Sequence, residues 1–217
     1  MFSDRRQAGR QLAAALKPLK LENPIVLALP RGGVPVAFEV AQALGAPLDV
    51  VMVRKIGAPG HAELGLGAVV DGSDPQLVLN DEIVELLAPD PGYVEAEKRR
   101  QLKEIERRKR LYRGERPPVP VEGRVLIVID DGIATGGTVK AVLRALAPAR
   151  PSRRILAVPV APKESIDMLA PEADDVVCLA TPEPFFAVGT HYRDFRQTTD
   201  TEVVDLLRRA AEALRQG

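Results

Sequence analysis

Two adjacent carboxylates, Asp130 and Asp131, follow five apolar residues, Val125-Leu-Ile-Val-Ile129, and precede a short run of small and hydroxylated residues. A run of five apolar residues reads as a strand buried on both faces. Paired acids at its end can accept hydrogen bonds from two vicinal hydroxyls, such as those of a ribose. The following residues include Ala134, Thr135, Gly136, Gly137 and Thr138, and a helical pattern begins at Val139. Backbone N–H groups in such a loop, at a helix N-terminus, hold a phosphate dianion. Glycine lets the backbone approach it closely. Together these residues describe a site for a sugar phosphate. The plainer alternative is a strand–turn–helix junction with Asp as the cap.

Two other groups carry charge at predicted strand ends. Arg31, Gly32 and Gly33 follow an apolar run over residues 24–30 and precede a helix. One guanidinium beside close-approach N–H groups suits a pyrophosphate, although a glycine-rich turn with a solvated arginine has the same sequence. Arg54 and Lys55 end a second apolar run, residues 48–53. Adjacent cations there clamp a polyanion or simply solvate a strand terminus. Phe185 and Phe186 lie in an irregular stretch, residues 181–199, and either stack on a planar ligand or form a local core. His61 sits in a loop, where it either contacts a pyrophosphate or has no role.

These groups need elements to position them. A helix over residues 3–19, capped by Ser3, opens the chain. A helix over residues 34–44 ends at Gly45. Residues 64–70 and 76–79 read as a hairpin across residues 71–75. Asp81 caps a short helix to Leu87, and residues 91–112 form a long charged helix. A proline-rich connector over residues 116–123 leads to the strand before the acidic pair. Strands follow at residues 155–160 and 176–180, with helices at 163–169 and 200–215. Apolar strands alternating with helices imply an α/β fold with a parallel sheet and right-handed crossovers. Ligands then lie at the carboxyl ends of the strands. We read residues 1–217 as one domain, with a helical insertion at residues 81–115.

Composition narrows the function classes. Lys+Arg and Asp+Glu both number 30, so no global basic field suggests nucleic-acid coating. Residues 93–113 carry nine Lys/Arg against four Glu. The favoured reading is a solvated helix laced by pairs such as Glu104–Arg108 and Glu106–Arg110. A lid, a dimer contact or a small RNA-binding surface are the alternatives. The single cysteine, Cys178, lies in an apolar run and reads as core. No apolar stretch reaches the ~20 residues of a membrane span. The first residues lack the apolar core of a signal peptide, so a cytoplasmic location is expected.

The segment Val125–Thr138 resembles the phosphoribosyl-diphosphate (PRPP) binding motif of type I phosphoribosyltransferases. Residues 29–37 are similar to the pyrophosphate loop of the xanthine–guanine members, where the peptide bond before the loop arginine is cis. The resemblance therefore implies a cis bond at Pro30–Arg31. It implies a type I phosphoribosyltransferase-like sheet flanked by helices, with a hood at residues 181–199 and an inserted charged helix. Asp130 and Asp131 would hold the ribose hydroxyls, directly or through Mg. Residues 134–138 would hold the 5-phosphate, and Arg31, Gly32 and Gly33 the pyrophosphate. In adenine and orotate enzymes an Arg-Lys pair precedes the mobile catalytic loop. Arg54 and Lys55 would stand there, with residues 56–63 as the loop and Gly57 and Gly60 as hinges. Phe185 or Phe186 would stack on the acceptor base.

The implied activity is a Mg-dependent transfer of ribose 5-phosphate from PRPP to a nucleobase nitrogen, in nucleotide salvage, by a homodimer or larger assembly. Ala134 stands where 6-oxopurine enzymes usually hold an acid, which argues against a simple guanine or hypoxanthine transferase. The acceptor base stays open. A second class is a regulatory protein of the same fold that binds PRPP or a nucleotide without catalysis. A nicotinamide dehydrogenase would need its glycines at a strand-to-helix turn, whereas Gly65 and Gly67 fall in a predicted hairpin strand.

Overall fold

The computed structural model describes residues 1–72 and 75–216. Five strands form an all-parallel sheet: β1 (Pro24–Ala28), β2 (Leu48–Val50), β6 (Val125–Ile129), β7 (Arg153–Val160) and β8 (Asp175–Ala180). Their spatial order is β2-β1-β6-β7-β8. The strand that carries the acidic pair is therefore the middle one. Every residue of β6 is buried, as expected when helices cover both faces of a parallel sheet.

On one face pack α1 (Arg5–Leu16), α2 (Gly33–Leu44) and α7 (Asp200–Gln216). Leu12, Leu16, Phe38, Leu206 and Leu207 meet Val26, Ile127 and Ile155 there. On the other face α5 (Gly137–Leu146) and α6 (Lys163–Leu169) bring Val139, Val142, Leu143 and Leu169 against Leu126, Val128 and Leu156. Asp4, one residue later than expected, caps α1 by accepting from the Gln7 N–H at 2.7 Å. The Ser3 N–H instead donates to Gln7 Oε1.

A second, antiparallel sheet has the order β3-β4-β5: β3 (Val53–Ala58), β4 (His61–Val70) and β5 (Gln76–Leu79). The apolar run 48–53 is thus two strands rather than one. β2 stops at Val50, and buried Val51 and Met52 carry the chain across. The Val51 N–H donates to Ala28 O in the first sheet, while Met52 O accepts from Asp71 N–H beside the second. Arg54 and Lys55 consequently begin a hairpin strand instead of ending a core strand. The expected loop 56–63 is mostly the paired arms and tip of that hairpin, with Gly60 at φ +74° in the tip. Part of the expected turn at residues 71–75 lies outside the described residues.

Residues 81–115 hold α3 (Asp81–Leu87) and α4 (Pro91–Arg113), the latter capped by Asp90. α3 begins at Asp81 with Asn80 as its cap position. α4 is more than a solvated rod. It lays Ile105, fully buried, into the same core as Ile56 and Leu66 of the small sheet. Its last residue, Arg113, donates to Asp49 Oδ1 (2.8 Å), Asp71 Oδ2 (3.1 Å) and Val50 O (2.6 Å). Near its start, Tyr93 OH donates to Gly57 O at 2.9 Å. Glu104 pairs with Arg108 as expected, and also with Arg107. Glu106 pairs with Lys109, at i+3, in place of Arg110.

Cys178 is partly buried on β8, where its thiol donates to Ala180 O and burial pushes its pKa up. Among the described residues no helix is long and apolar enough to cross a membrane.

Candidate functional site

The site forms where β1 and β6, neighbours in the sheet, end side by side. After β1 the chain turns through Arg31 and Gly32 into α2, and the Pro30–Arg31 peptide is cis. After β6 it passes Asp130 and Asp131. The two turns touch. A Cβ on Gly32 would stand 2.0 Å from Asp131 Oδ2, and one on Gly33 would stand 2.8 Å from Ile129 O. Glycine is required at both positions because the acidic turn fills the space a side chain would need.

The loop that follows is held open from behind. Gly136 adopts φ +77°, and a Cβ there would meet Met168 Cε at 2.7 Å. Ser165, on α6, donates its hydroxyl to Ala134 O at 2.7 Å. Ala134, Thr135 and Gly137 are exposed, and α5 starts at Gly137. Backbone N–H groups at the start of α5 thus face solvent beside the acidic pair, the arrangement an anion needs.

The two acids differ. The Asp131 N–H donates to Asp130 Oδ1 at 2.8 Å, and the two carboxyls stand close together. Burial first, then the charge of Asp131, push the Asp130 pKa well up; Arg5 opposes this. Asp131 has a partner the sequence did not reveal. Arg5 Nε donates to its Oδ2 at 2.7 Å, with the two side chains only 11% and 14% exposed. Arg5 also donates to Arg196 O (2.8 Å), and its guanidinium lies 3.9 Å from the centre of the Phe195 ring. No motif links Arg5 to Asp131, because they are 126 residues apart in the chain.

The expected hood, residues 181–199, is sewn to the amino end of the chain. Phe2 bridges to Tyr192, its N–H donating to His191 O and its carbonyl accepting from Arg193 N–H. Tyr192 donates its hydroxyl to Asp131 O at 2.6 Å, and burial raises its pKa. Gly132 admits the hood: a Cβ there would stand 2.5 Å from Val188 Cγ1. Phe185 stacks on His191 at 5.1 Å within this local cluster, whereas Phe186 is 81% exposed.

Arg31 belongs to the site but faces α7, where Nη1 lies 3.6 Å from Asp200 Oδ1. Arg54 turns to α4, donating to Gln101 Oε1 at 3.0 Å, and Lys55 is exposed. Among the described residues, no hydrogen bond or ion pair joins Arg54 or Lys55 to residues 130–138. His61, at the start of β4, is exposed.

The chain matches the family model of the phosphoribosyl transferase domain over residues 5–194, a span that includes both strand ends and the acidic pair. The chain belongs to the type I phosphoribosyltransferase family. Its relatives include a Mycobacterium tuberculosis protein, Rv0571c in strain H37Rv, whose name places it among the phosphoribosyl transferases and gives no substrate. That protein is 49% identical over 210 residues, which cover 97% of this chain but 47% of the relative. The same figures hold for MT0597 of strain CDC 1551. The chain thus spans about half the length of the curated relatives it matches. Among solved structures, TT1426 from Thermus thermophilus is 46% identical, with a TM-score of 0.84 over 95% of this chain and 97% of that one. A Neisseria gonorrhoeae protein solved with bound ppGpp shares the fold at a TM-score of 0.53, with 14% identity over 98% of each chain. Within the phosphoribosyltransferase family frame, the residues that sequence reasoning missed are Arg5, Tyr192 and Ser165. All three act on the motif from elements distant in the chain.

Proposed function

We propose that this phosphoribosyltransferase-family chain transfers the ribose 5-phosphate of PRPP to a nucleobase nitrogen with release of pyrophosphate. The contact between Gly32 and Asp131 carries this reading. A loop with an arginine and two glycines lies against an acidic turn, and this supports one cleft for a sugar bearing both a 1-diphosphate and hydroxyls.

In this reading the N–H groups of residues 135–138 hold the 5-phosphate, and Asp130 and Asp131 accept from the ribose hydroxyls. Arg31 and the N–H groups of Gly32 and Gly33 hold the diphosphate. The C1–oxygen bond breaks as the acceptor nitrogen attacks, and positive charge grows on the ribose. The chain's work is to align the partners, to place the acids' negative charge beside the sugar and to exclude water. Two carboxylates are hard oxygen donors, and one oxygen of Asp131 is already given to Arg5. That set suits a cation held mainly by substrate oxygens and water, as Mg usually is. Mg would supply charge neutralisation of the leaving pyrophosphate. Arg54 and Lys55, at the foot of the β3–β4 hairpin, would add positive charge as the hairpin covers the reacting centre. Phe186, exposed in the hood, would stack on the base. A homodimer or larger assembly and a cytoplasmic role in nucleotide salvage complete the proposal.

A regulatory, non-catalytic reading has one observation in its favour: Arg5 engages Asp131, one of the two acids assigned to the ribose. One experiment separates the two. Calorimetry with PRPP and Mg is followed by a pyrophosphate-release screen over nucleobases. The expected result is PRPP binding that weakens on the order of 100-fold in the Asp130→Asn/Asp131→Asn double variant, since charged hydrogen bonds are worth about 1.5–3 kcal/mol each. One base should then release pyrophosphate. Binding with no active acceptor favours the regulatory reading. No PRPP binding at all overturns the transferase reading, and the regulatory reading with PRPP as its ligand.

A further inference from the structure

Asp200 is the first residue of α7, and two groups from distant parts of the chain converge on its Oδ1. One is the hydroxyl of Tyr112, on the inserted helix α4, which donates to it. The other is Nη1 of Arg31, in the pyrophosphate loop, at 3.6 Å. Tyr112 is 2% exposed, so its hydroxyl is fixed by packing and fixes the carboxylate in turn. The α7 N-terminus also favours a negative charge at this position. The Arg31–Asp200 contact is of a different kind. Both side chains are partly exposed, at 34% and 44%, and 3.6 Å is an ion contact rather than a close hydrogen bond. Pairs of this exposure are weak. A rigid anion thus holds the pyrophosphate-loop arginine loosely.

We propose that Asp200 is a positioning residue that competes with pyrophosphate for Arg31. It holds the guanidinium while the loop is empty, yields it to the polyanion, and takes it back as the product leaves. The inference rests on the PRPP reading of the site, and it gives the inserted helix a part in the reaction through Tyr112. The physical basis is simple. A polyanion outcompetes one carboxylate for a guanidinium, since it offers more acceptor oxygens and charge. Freeing the guanidinium from the carboxylate still costs part of the binding energy, which lowers the polyanion's affinity.

The test is calorimetry with pyrophosphate and Mg at fixed ionic strength, on the intact chain. Asp200→Asn keeps an acceptor for the Tyr112 hydroxyl and removes the charge. It should tighten pyrophosphate binding by about 2- to 5-fold, within the ~1 kcal/mol that a fivefold change represents. Tyr112→Phe, which frees the carboxylate to swing away, should tighten it by less. In an Arg31→Gln background the Asp200→Asn gain should shrink or vanish, because the effect passes through Arg31. Once an acceptor is known, Asp200→Asn should lower KM for PRPP and kcat together, as slower product release would. Unchanged or weaker pyrophosphate binding in Asp200→Asn, with PRPP still bound by the parent chain, overturns the inference and leaves the PRPP reading standing. An equal gain with and without Arg31 overturns it too. A parent chain that binds neither PRPP nor pyrophosphate brings both down.

Discussion

Tyr112 is a buried phenol beside a carboxylate, and its ionisation reports on the α4–α7 junction. Burial first, and the Asp200 hydrogen bond second, push its pKa up to about 12 from 10.0. The neutral form is the one the fold favours. Its contribution to stability is therefore complete below pH 10 and is lost as pH rises from 10 through 12. Phenolate absorbance should show Tyr112 titrating near pH 12, and Tyr112→Phe should flatten the denaturant midpoint across that window. Asp200→Asn should draw the titration only part of the way back, since burial is the larger cause. A Tyr112 that titrates near 10 in the parent chain would refute this account of the junction. Other residues show where a sequence can and cannot be read. Asp130, Asp131 and Thr138 are legible because the motif is continuous, and Gly32 because close approach demands glycine. Arg5, Ser165 and Tyr192 are ordinary residues in ordinary local settings. Only tertiary packing brings them to the site, so no local pattern marks them.

At the scale of elements, α4 illustrates what charge counting misses. Its exposed face is laced by ion pairs within one helix, and such pairs contribute little each. Its anchoring comes from Arg113, whose side chain is 11% exposed and lies between Asp49 and Asp71, at 8% and 3%. Arg113→Ala leaves two buried carboxylates with one cation fewer, Lys109 remaining near Asp71. The expected loss is about 3–5 kcal/mol in urea unfolding. A loss below about 1 kcal/mol would mean that the network is solvated in practice. The strand boundary at Val50 was hidden for a related reason. An unbroken apolar run, residues 48–53, records burial but not which sheet each residue joins. β3 could be found only from its pairing with β4. By contrast, β6, α2 with its Gly45 stop and α7 were all evident from pattern: β6 as an unbroken apolar run buried on both faces, and the two helices from apolar residues at helical spacing.

The whole molecule carries balanced charge, 30 basic against 30 acidic residues, with a sequence pI near 6.8. Proteins near zero net charge lose the repulsion that keeps them apart in solution. Solubility at low salt should pass through a minimum at about pH 7 and rise on both sides, as light scattering across roughly pH 5–9 would record. A monotonic trend would show that local patches, rather than net charge, govern association. The balance also fits the proposed site: a polyanionic ligand would be met by local groups such as Arg31 and loop N–H dipoles, not by a global field.

The amino end of this chain is finished by its opposite end. Arg5 reaches Arg196, 191 residues away, and Phe2 zips onto Tyr192. A ribosome adding ~5–20 residues per second needs roughly 10–40 s to make that span. Once residue 131 is made, β1, β6 and the acidic pair can exist, but until the hood follows Asp131 has nothing above it, and Arg5 lacks the Arg196 carbonyl and Phe195 ring that hold it. During synthesis the acidic pair therefore precedes its hood, like a ring made before its clasp, and a growing chain lines up the two strand ends of the cleft before it can roof them.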